Sequence, residues 1–426
     1  MNSFVLRSQL KLGRRSGNHV ESRLVEVKLF QSSFILNKHT QSYNYLSTNT
    51  CLKSYNQTKT FDEHSDVTST KEHKKKSFLP FLREKFINDT RRRDTKLHFI
   101  TKAGTSNIRF KTIETYERGG RKFSKLSAKF RIGNKYGNKT FHATYWKPGR
   151  GHKIEKDSVR SLVFLSHGYG EYLGDGYDEI AKFWCDKLGD GSLVFGHDHV
   201  GHGRTTAGER VLINSIHELI DPIISHNKEV QKWTNCGSGT IPLFLVGHSM
   251  GGLISMLALI QSKELFKGFI GISPLVIISP ERATPTNIFL AKQLQKYFPR
   301  FTLPSFMDDN DDSHITRNKS FVKNIKKDEL RYHGGPKARM GYILIKSCEK
   351  LQKKMSKINT PLLILQGKED KLVEPKGAEI INENVSSKDK ECVLYEKAYH
   401  NLLVELDDVK EDVQWRTLQW MNKRLQ

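Results

Sequence analysis

The feature that most constrains this chain is an apolar stretch, residues 241–260, interrupted near its middle by a serine between glycines. A strand-like segment comes first, then a turn that carries Ser249, and then residues typical of a buried helix. Gly247 and Gly251 permit a backbone too cramped for larger side chains, so the Ser249 hydroxyl would stand at a sheet edge above a helix N-terminus. The stretch is also long enough to cross a bilayer, but the glycines and polar residues at its centre argue against that. The pattern predicts a nucleophile elbow.

A serine hydroxyl is a poor nucleophile near neutral pH unless a histidine takes its proton and a carboxylate orients that histidine. Behind a turn of this kind, the chain order is serine, acid, histidine. Residues 361–366 predict a short strand that is followed by Asp370, and residues 392–396 predict the next strand, followed by His400. Ligands of an open α/β sheet bind at the carboxyl ends of its strands. We therefore expect Asp370 as the acid and His400 as the base, although the neighbouring Glu369 could serve as the acid instead.

Acyl transfer also needs hydrogen-bond donors for the negative charge that develops on the attacked carbonyl oxygen. Residues 161–166 predict another buried strand, and the glycine-containing loop 167–171 follows it. These glycines allow a tight loop that can aim the backbone N–H of Tyr169 at the oxyanion. The N–H of Met250, directly after the nucleophile, would be the second donor. The alternative is an ordinary glycine turn.

The chain from about Phe130 to its end resembles the monoglyceride lipases of the α/β-hydrolase superfamily and their lysophospholipase-like relatives. The resemblance implies an α/β fold of the α/β-hydrolase type, in which a mainly parallel sheet is flanked by helices and carries an inserted helical cap. The stretches that carry it are residues 145–148, 167–171, 194–203, 208–210, 246–252, 272–275 and 398–400.

By this resemblance Ser249, Asp370 and His400 form a catalytic triad, and Tyr169 and Met250 form the oxyanion hole. The predicted activity is hydrolysis of the acyl ester of a monoacylglycerol to glycerol and free fatty acid, with no metal or organic cofactor. A lysophospholipase or a general lipid carboxylesterase would share the triad and is the first alternative. A non-catalytic α/β-hydrolase scaffold used for binding is the second, but such a scaffold would be expected to lack one of the three triad residues.

The chain departs from the family around the expected headgroup pocket. Where the family supplies a cation, a second histidine and a cap tyrosine, this sequence has residues 174–176, Leu403 and the neighbourhood of Ile325. A site without such polar partners loses discrimination before it loses acyl transfer. The resemblance therefore predicts intact hydrolysis with weaker selectivity for the glycerol headgroup.

Two clusters superficially resemble metal sites. His197, His199 and His202 lie close together, but no acidic or cysteine partner completes a tetrahedral set. Residues 308–312 begin like a calcium loop, yet the glycine and the bidentate glutamate that such a loop requires are missing. The sequence therefore predicts no metal site.

Charge divides the chain into two parts. Residues 1–150 contain 32 of the 70 Lys and Arg but only 11 of the 46 Asp and Glu. We predict a basic, largely disordered extension over residues 1–120, a hydrolase domain over 121–426, and a cap over about 276–345 within it. No nucleic-acid-binding motif is legible in the basic part, so the charge does not indicate such a partner.

Two segments of the extension have alternative interpretations. Residues 1–18 combine arginines and apolar residues without an acid, as in a mitochondrial transit peptide, and the alternative interpretation is a basic disordered tail. Residues 74–86 interleave cations with aromatics, as a segment on an anionic membrane would, or form a plain basic linker. The odd number of scattered cysteines and the lack of a secretory signal favour an intracellular, cytoplasmic protein at the periphery of membranes. The oligomeric state stays open.

The cap contains an apolar series at helical spacing. Its members Ile288, Leu290, Leu294, Tyr297 and Phe298 alternate with lysines and glutamines. Such a series usually packs against a core. Alternatively, the helix enters a membrane surface and admits an acyl chain to an apolar tunnel.

Overall fold

The computed structural model describes residues 96–425 except 102–103, 119, 135–136, 152, 156–157, 175, 206–207, 235–239, 282 and 304–310. Its strands are β1 (Lys96–Thr101), β2 (Gly104–Arg109), β3 (Lys111–Arg118), β4 (Arg121–Asn134), β5 (Gly137–Pro148), β6 (Ser161–Ser166), β7 (Ser192–His197), β8 (Leu243–His248), β9 (Gly268–Ile272), β10 (Leu362–Gly367) and β11 (Lys390–Tyr395). Its helices are α1 (Asp178–Lys187), α2 (His217–Thr234), α3 (Met250–Gln261), α4 (Pro285–Tyr297), α5 (Lys319–Ile325), α6 (Ala338–Gln352), α7 (Lys376–Asn384) and α8 (Asp407–Asn422).

One sheet dominates the described residues, with its nine strands in the order β11-β10-β9-β8-β6-β7-β5-β4-β3. Strands β6 to β11 pair in parallel, whereas β3, β4 and β5 continue the β7 side as antiparallel strands. Strands β1 and β2 form a separate antiparallel pair. The chain leaves β6 towards β7 on one side and later returns to β8 on the other. Loops at such a switch point diverge and leave a crevice at the carboxyl ends of the strands. This arrangement confirms the predicted α/β-hydrolase fold.

The parallel strands β6 to β10 are buried on both faces, which explains why they read as continuous apolar runs, whereas β11 lies at the edge of the sheet and is half-buried or exposed. Every residue of β6 is buried. Because side chains alternate along a strand, Leu162 and Phe164 enter one hydrophobic cluster, and Val163 and Leu165 enter the other. Helices α2, α3, α6 and α7 contribute to the first cluster, and α1 and α8 to the second.

The apolar stretch 241–260 forms β8, a turn and the first part of α3, as predicted. In the described part of the chain, no helix is both long and apolar enough to cross a bilayer. The other two strands predicted around the site, at 361–366 and 392–396, correspond to β10 and β11 with their ends shifted by one or two residues.

The sheet begins earlier in the chain than the domain boundary we expected at residue 121. Strand β3 lies within the predicted extension, yet it pairs antiparallel with β4 from Lys111 to Arg118. Its side chains alternate between exposed and half-buried, and the Tyr116 ring stacks on the buried Phe123 ring at 5.2 Å. A half-polar edge strand of this kind lacks the apolar run that made the central strands recognisable.

The remainder of the predicted extension, residues 1–95, lies outside the described residues. The same holds for the segment 1–18, which has the composition of a targeting peptide, and for the basic aromatic segment 74–86. The interpretations of disorder, targeting and membrane binding for these segments therefore stay predictions.

The cap expected over residues 276–345 corresponds to the connection between β9 and β10. It contains α4, α5 and the first part of α6, and α4 and α6 pack around Ala291, Leu303 and Ala338. Helix α6 crosses the expected boundary, because it continues to Gln352 and buries residues such as Leu351 in the main core. One helix thus belongs to the cap at its start and to the sheet layer at its end.

Helix α4 does not bury its whole apolar series. Leu290 and Leu294 pack against the cap cluster, but Ile288, Tyr297 and Phe298 are exposed. Core packing therefore accounts for only two of the five residues. The other three form part of an apolar surface.

Candidate active site

The turn between β8 and α3 holds Ser249 in a strained backbone conformation. Its φ is 53° and its ψ is −119°, a combination that L-residues rarely adopt and that costs on the order of 1–3 kcal/mol. The Ser249 N–H donates to the carbonyl of Ile272 at 3.0 Å, and its own carbonyl accepts from the N–H groups of Leu253 and Leu275 at 3.2 and 3.0 Å. Ser249 is also the only residue from 243 to 259 that is not fully buried. The surrounding hydrogen bonds therefore impose the conformation that brings this residue to the protein surface.

The glycines of the turn are required by close approach of other backbone atoms. A Cβ atom on Gly251 would lie 2.1 Å from the carbonyl oxygen of Ser166 at the end of β6, and one on Gly247 would lie 2.6 Å from the carbonyl oxygen of Gly251. Real Cβ atoms do not approach backbone oxygens so closely, so alanine at either position would displace the turn. The elbow is therefore packed directly against the strand that leads into the predicted oxyanion loop.

Asp370 and His400 meet at the carboxyl edge of the sheet. His400 Nδ1 lies 2.7 Å from Asp370 Oδ2, which also accepts from Gln366 Nε2 at 2.9 Å. The other carboxylate oxygen accepts from the N–H groups of Leu372 and Val373 at 2.8 and 3.0 Å. Burial alone would raise the pKa of Asp370, but the His400 ring and these hydrogen bonds bring the pKa below its ordinary value. The carboxylate is therefore ionised and held in one orientation towards the imidazole.

Glu369, the alternative acid, is exposed to solvent, and among the described residues the carboxylate that contacts His400 belongs to Asp370. The backbone of Glu369 has a structural role instead, because its N–H donates to the carbonyl of Ala398 at 3.0 Å. A Cβ atom on Gly367 would lie 2.2 Å from the carbonyl oxygen of Tyr399. The two loops are thus joined along their backbones, which fixes the acid relative to the histidine.

The buried Glu405 holds the loop that carries His400 in place. Its carboxylate accepts from the N–H of Tyr399 at 2.9 Å and from the N–H of Leu406 at 2.9 Å. Arg317 donates to the same carboxylate from its Nε at 3.0 Å. This anchor holds the residues on either side of His400 and was not recognised from the sequence.

His248 connects the histidine loop to the elbow. Its ring centroid lies 4.9 Å from that of His400, and His248 directly precedes Ser249. Among the described residues, no hydrogen bond joins the Ser249 hydroxyl to His400. Catalytic hydrogen bonds of ligand-free enzymes are often long and tighten when substrate binds. The structure therefore brings Ser249, Asp370 and His400 to one edge without a formed contact between serine and histidine.

Tyr169 and Met250 occupy the positions expected of oxyanion donors. Tyr169 lies in the loop after β6, and Met250 is the first residue of α3. The first N–H groups of a helix have no acceptor within it and lie at the positive end of its dipole. Within the described residues, neither of these two backbone N–H groups donates to another protein group. Both are therefore available to a bound oxygen.

Glu171, at the end of the same loop, is the main residue that the sequence did not single out. It is 5% exposed. Its Oε2 accepts from the Gly168 N–H at 2.8 Å and from the Tyr177 hydroxyl at 2.5 Å, and it lies 3.0 Å from His248 Nδ1. One carboxylate oxygen thus holds the predicted oxyanion loop against the elbow. An acid inside a glycine-rich loop was the only local signal for it.

The second carboxylate oxygen of Glu171 faces two further elements. Asn401 Nδ2, next to His400, lies 3.5 Å from Oε1, and Arg331 Nη1 of the cap lies 3.6 Å from it. Burial opposes ionisation of Glu171, but His248, Arg331 and the Tyr177 hydroxyl together hold its pKa well below the ordinary value. Glu171 is therefore a buried anion at the junction of the elbow, both loops and the cap.

Five histidines form a packed group behind the site. The rings of His167 and His199 are 4.1 Å apart, and His197 Nδ1 lies 3.1 Å from His226 Nδ1. Burial lowers the pKa of His202 to about 4 and that of His226 to about 3, so these rings are neutral at physiological pH. Within the described ranges, no group of three His, Cys, Asp or Glu residues could hold a metal ion. The group is part of the packed core around the crevice.

Two of the positions at which the chain departs from the expected headgroup pocket are apolar and buried. Leu403 is 2% exposed and Ile325 is 1% exposed. Of residues 174–176, the middle one lies outside the described residues. At Leu403 and Ile325, therefore, the chain provides no polar group for a ligand.

The sequence of this chain is similar to those of known hydrolases. Residues 157–407 match the family described as serine aminopeptidase, S33. The monoglyceride lipase of Rattus norvegicus is 37% identical over 281 residues, which are 66% of this chain and 86% of that protein. The monoglyceride lipase of Homo sapiens is 35% identical over 280 residues, with the same two shares.

Solved structures of similar proteins agree with the fold. A soluble variant of the monoglyceride lipase of Saccharomyces cerevisiae, in complex with a substrate analogue, aligns with a TM-score of 0.56 and 25% identity over 73% of this chain and 95% of that one. The monoacylglycerol lipase of Paleococcus ferrophilus aligns with a TM-score of 0.54 and 26% identity over 62% of this chain and 95% of that one.

Proposed function

Because the chain belongs to the serine hydrolase family described as serine aminopeptidase, S33, and within it to the monoglyceride lipases, we propose that it hydrolyses monoacylglycerol to glycerol and a free fatty acid. The observation that carries the proposal is the 2.7 Å contact between His400 and the buried Asp370. That contact lies at the same sheet edge as the strained Ser249, in a chain 37% identical to a monoglyceride lipase.

In the proposed mechanism, the Ser249 hydroxyl attacks the ester carbonyl while His400 takes its proton. Asp370 holds the imidazole in the required tautomer and stabilises its charged form. The N–H groups of Tyr169 and Met250 donate to the oxyanion of the tetrahedral intermediate. His400 then protonates the departing glycerol oxygen, which leaves an acyl ester on Ser249. Water, activated by the same histidine, releases the fatty acid and restores the serine.

One observation favours a broader substrate range. Leu403 and Ile325 are buried and apolar where the family supplies polar groups. A pocket without those partners discriminates less between a glycerol headgroup and other leaving groups. A lysophospholipase or general lipid carboxylesterase activity is therefore the second candidate.

We also propose that the enzyme works inside the cell at the periphery of membranes. Cys185, Cys348 and Cys392 are free thiols, as expected of a reducing compartment. On α4, Phe289 is 63% exposed and Tyr297 is 67% exposed, and Lys296 lies over the Tyr297 ring at 5.1 Å. Exposed aromatics beside lysines are suited to the interface of an anionic bilayer, where the rings enter the headgroup region.

The test is to measure products released by the full-length protein from a panel of substrates. The panel contains monoacylglycerols of several chain lengths, lysophospholipids and short p-nitrophenyl esters, and Ser249→Ala serves as the inactive control. Release of glycerol and fatty acid with the highest kcat/KM on monoacylglycerol supports the proposal. A preference for lysophospholipids or short esters would replace it by the second candidate. Hydrolysis of no ester by a folded protein would favour a non-catalytic scaffold.

A further inference from the structure

The cap lies along the predicted oxyanion loop through a series of paired contacts. Residues 326–337 form neither a helix nor an extended strand. Within them, Asp328 Oδ2 accepts from the Tyr172 hydroxyl at 2.6 Å, and the Tyr332 N–H donates to the carbonyl of Gly170 at 2.8 Å. We call residues 328–335 the cap clamp.

Two more contacts complete the cap clamp. Arg331 Nη1 lies 3.6 Å from Glu171 Oε1, and the carbonyl of Gly335 accepts from the Tyr169 hydroxyl at 3.2 Å. The residue numbers of the contacting cap residues thus increase from 328 to 335, while those of their partners in the loop decrease from 172 to 169. The two segments thus run antiparallel, and every residue of the loop from 169 to 172 has a partner in the cap.

The contacts leave little freedom at the centre of the clamp. A Cβ atom on Gly170 would lie 2.8 Å from the carbonyl oxygen of Tyr332, and Gly170 has a φ of +75°. The Tyr169 and Tyr332 rings meet edge to face at 6.0 Å. The cap therefore packs directly against the backbone that carries the Tyr169 N–H.

Arg331 contributes the charge of the clamp. Its side chain is only 10% exposed, and among the described residues it is the only Lys or Arg within ion-pair distance of Glu171. Glu171 in turn holds the Gly168 N–H and lies against His248, the residue before the nucleophile. An ionised Glu171 keeps these groups in place as an acceptor, and a neutral one would accept fewer hydrogen bonds.

We propose that the cap clamp, residues 328–335, positions the oxyanion loop for acyl transfer, and that Arg331 is a positioning residue acting through Glu171. The inference rests on the proposed hydrolase activity and extends it, because it makes the placement of the oxyanion donors depend on the cap. A cap displaced from the loop leaves the nucleophile and its base in place but misaligns the donor at Tyr169. Misplacement of reacting groups by about 1 Å can cost as much as about 10²-fold in rate.

The test compares Arg331→Gln, Arg331→Lys and Arg300→Gln in the full chain. Arg300 is the matched control, because its Nε lies 2.6 Å from Glu209 Oε2 in another ion pair between the cap and the rest of the domain, and neither partner of that pair belongs to residues 328–335 or to the loop 169–172. Two kinds of measurement are made on each variant: the steady-state kinetics with p-nitrophenyl butyrate, which give kcat and KM, and the inhibition constant of butylboronic acid. The boronic acid forms a tetrahedral adduct with the serine, so its affinity reports on the oxyanion donors.

Arg331→Gln should lower kcat by about tenfold with KM within about twofold, since removal of an oxyanion donor itself costs about 10²–10³. The affinity for butylboronic acid should fall by the same factor as kcat/KM. Arg331→Lys, which keeps the charge, should recover most of the loss, and Arg300→Gln should stay within about twofold of the wild type in both quantities. If Arg331 had a purely structural role, the affinity for butylboronic acid would not fall in proportion to kcat.

The proposal is overturned if Arg331→Gln keeps wild-type kcat, changes only KM, or leaves the boronic acid affinity unchanged, or if Arg300→Gln shows the same loss. Should Arg331→Gln fail to fold, Tyr172→Phe removes the Asp328 contact instead. A parallel fall of kcat and boronic acid affinity in that variant supports the clamp, and wild-type values refute it. If the wild type cleaves p-nitrophenyl butyrate but no monoacylglycerol, the proposed substrate is wrong and the clamp test still applies. If it cleaves no ester at all, the proposed function fails, and with it the clamp's stated role.

Discussion

Helices α3 and α4 have nearly equal lengths, but α3 is buried and α4 is mostly exposed to solvent. The same contrast holds between the sheet edge, where α3 begins, and the cap, to which α4 belongs. Ten of the 12 residues of α3 are buried behind the nucleophile, whereas one of the 13 residues of α4, Ala291, is buried in the cap. Buried polar groups must find partners, and at the sheet edge Asp370 and Glu171 have several donors each. The residues at the sheet edge are thus held by several hydrogen bonds and by the inner side of the cap, while the outer face of the cap is exposed and is available for contact with a membrane.

The largest effect should come from the nucleophile. Ser249→Ala should abolish ester hydrolysis and covalent labelling by a fluorophosphonate, because no other protein group in the proposed mechanism attacks the ester carbonyl of the substrate. Alanine adds no bulk, so the melting temperature should change little. Labelling of the purified variant at the wild-type rate would show that the nucleophile lies elsewhere and that the sheet edge has been misinterpreted.

The second effect separates the two neighbouring acids. Asp370→Asn should lower kcat by about 10⁴-fold, as loss of a triad carboxylate does when the imidazole is left in the wrong tautomer. Glu369→Gln is the matched control and should stay near wild type, because the Glu369 side chain is exposed. Steady-state kinetics of the two purified variants decide the matter, and the reverse ranking would assign the acid to Glu369.

The third effect concerns three histidines, of which His202 and His226 are buried and His142 is half-buried. Burial holds the pKa of His202 and His142 at about 4 and that of His226 at about 3 in the folded state, against an ordinary value of 6.5. Between pH 6.5 and 4 the unfolded chain therefore binds more protons than the folded chain. The stabilisation that comes from the neutral histidines is complete above pH 6.5 and is lost as the pH falls towards 4. Asp198 opposes this trend, because burial raises its pKa to about 6.

Each such histidine lowers the free energy of unfolding by up to about 1.4 kcal/mol for each unit by which the pH falls, which is a factor of about ten in the folding equilibrium. Chemical denaturation at pH 7, 6 and 5 should therefore show a free energy of unfolding that declines with acid. His142→Gln should flatten that decline by removing one titrating group. A stability independent of pH over this range would contradict the neutral, buried state of these rings.

The smallest effect belongs to the cap surface. The double variant Phe289→Ser with Tyr297→Ser should weaken binding to anionic vesicles by about tenfold, since the two partly inserted rings together contribute about 1.4 kcal/mol of apolar burial. Its kcat on p-nitrophenyl butyrate should stay at the wild-type value, because neither side chain belongs to the proposed site. Ile113→Ser, at a residue 52% exposed on β3, is the matched control for loss of an exposed apolar side chain.

Vesicle co-sedimentation at low and high salt measures this last effect. Equal binding by the double variant and the wild type would mean that the α4 surface does not meet the membrane, and would turn attention to the basic residues 1–95. A fall in kcat on the soluble ester would show instead that the outer face of the cap is coupled to the sheet edge, which would weaken the contrast drawn above.

Local patterns made the sheet edge predictable. The strand, turn and helix around Ser249 are contiguous, and their glycines are needed because Ser166 and Gly251 approach within contact distance of where a Cβ would lie. The loop of Asp370 directly follows the buried strand β10, and that of His400 follows β11, a half-buried edge strand that still ends in apolar residues. Such apolar runs are legible without any knowledge of packing. By contrast, the half-polar β3 was assigned to the extension, because an edge strand on an antiparallel flank carries no such run.

What is contiguous in this chain could therefore be predicted from the residues: the elbow, the apolar strands and the chain order of the predicted triad. The α/β-hydrolase architecture followed from the family resemblance that these stretches carry. Only tertiary structure decided which of two adjacent acids meets His400, since side-chain direction depends on how the two loops pair. It also decided that Arg331 of the cap lies beside Glu171 and that the α4 aromatics face outward. Whether such side chains meet or stay exposed depends on how segments far apart in sequence pack together. The free energy of that packing is not encoded in any local pattern of residues.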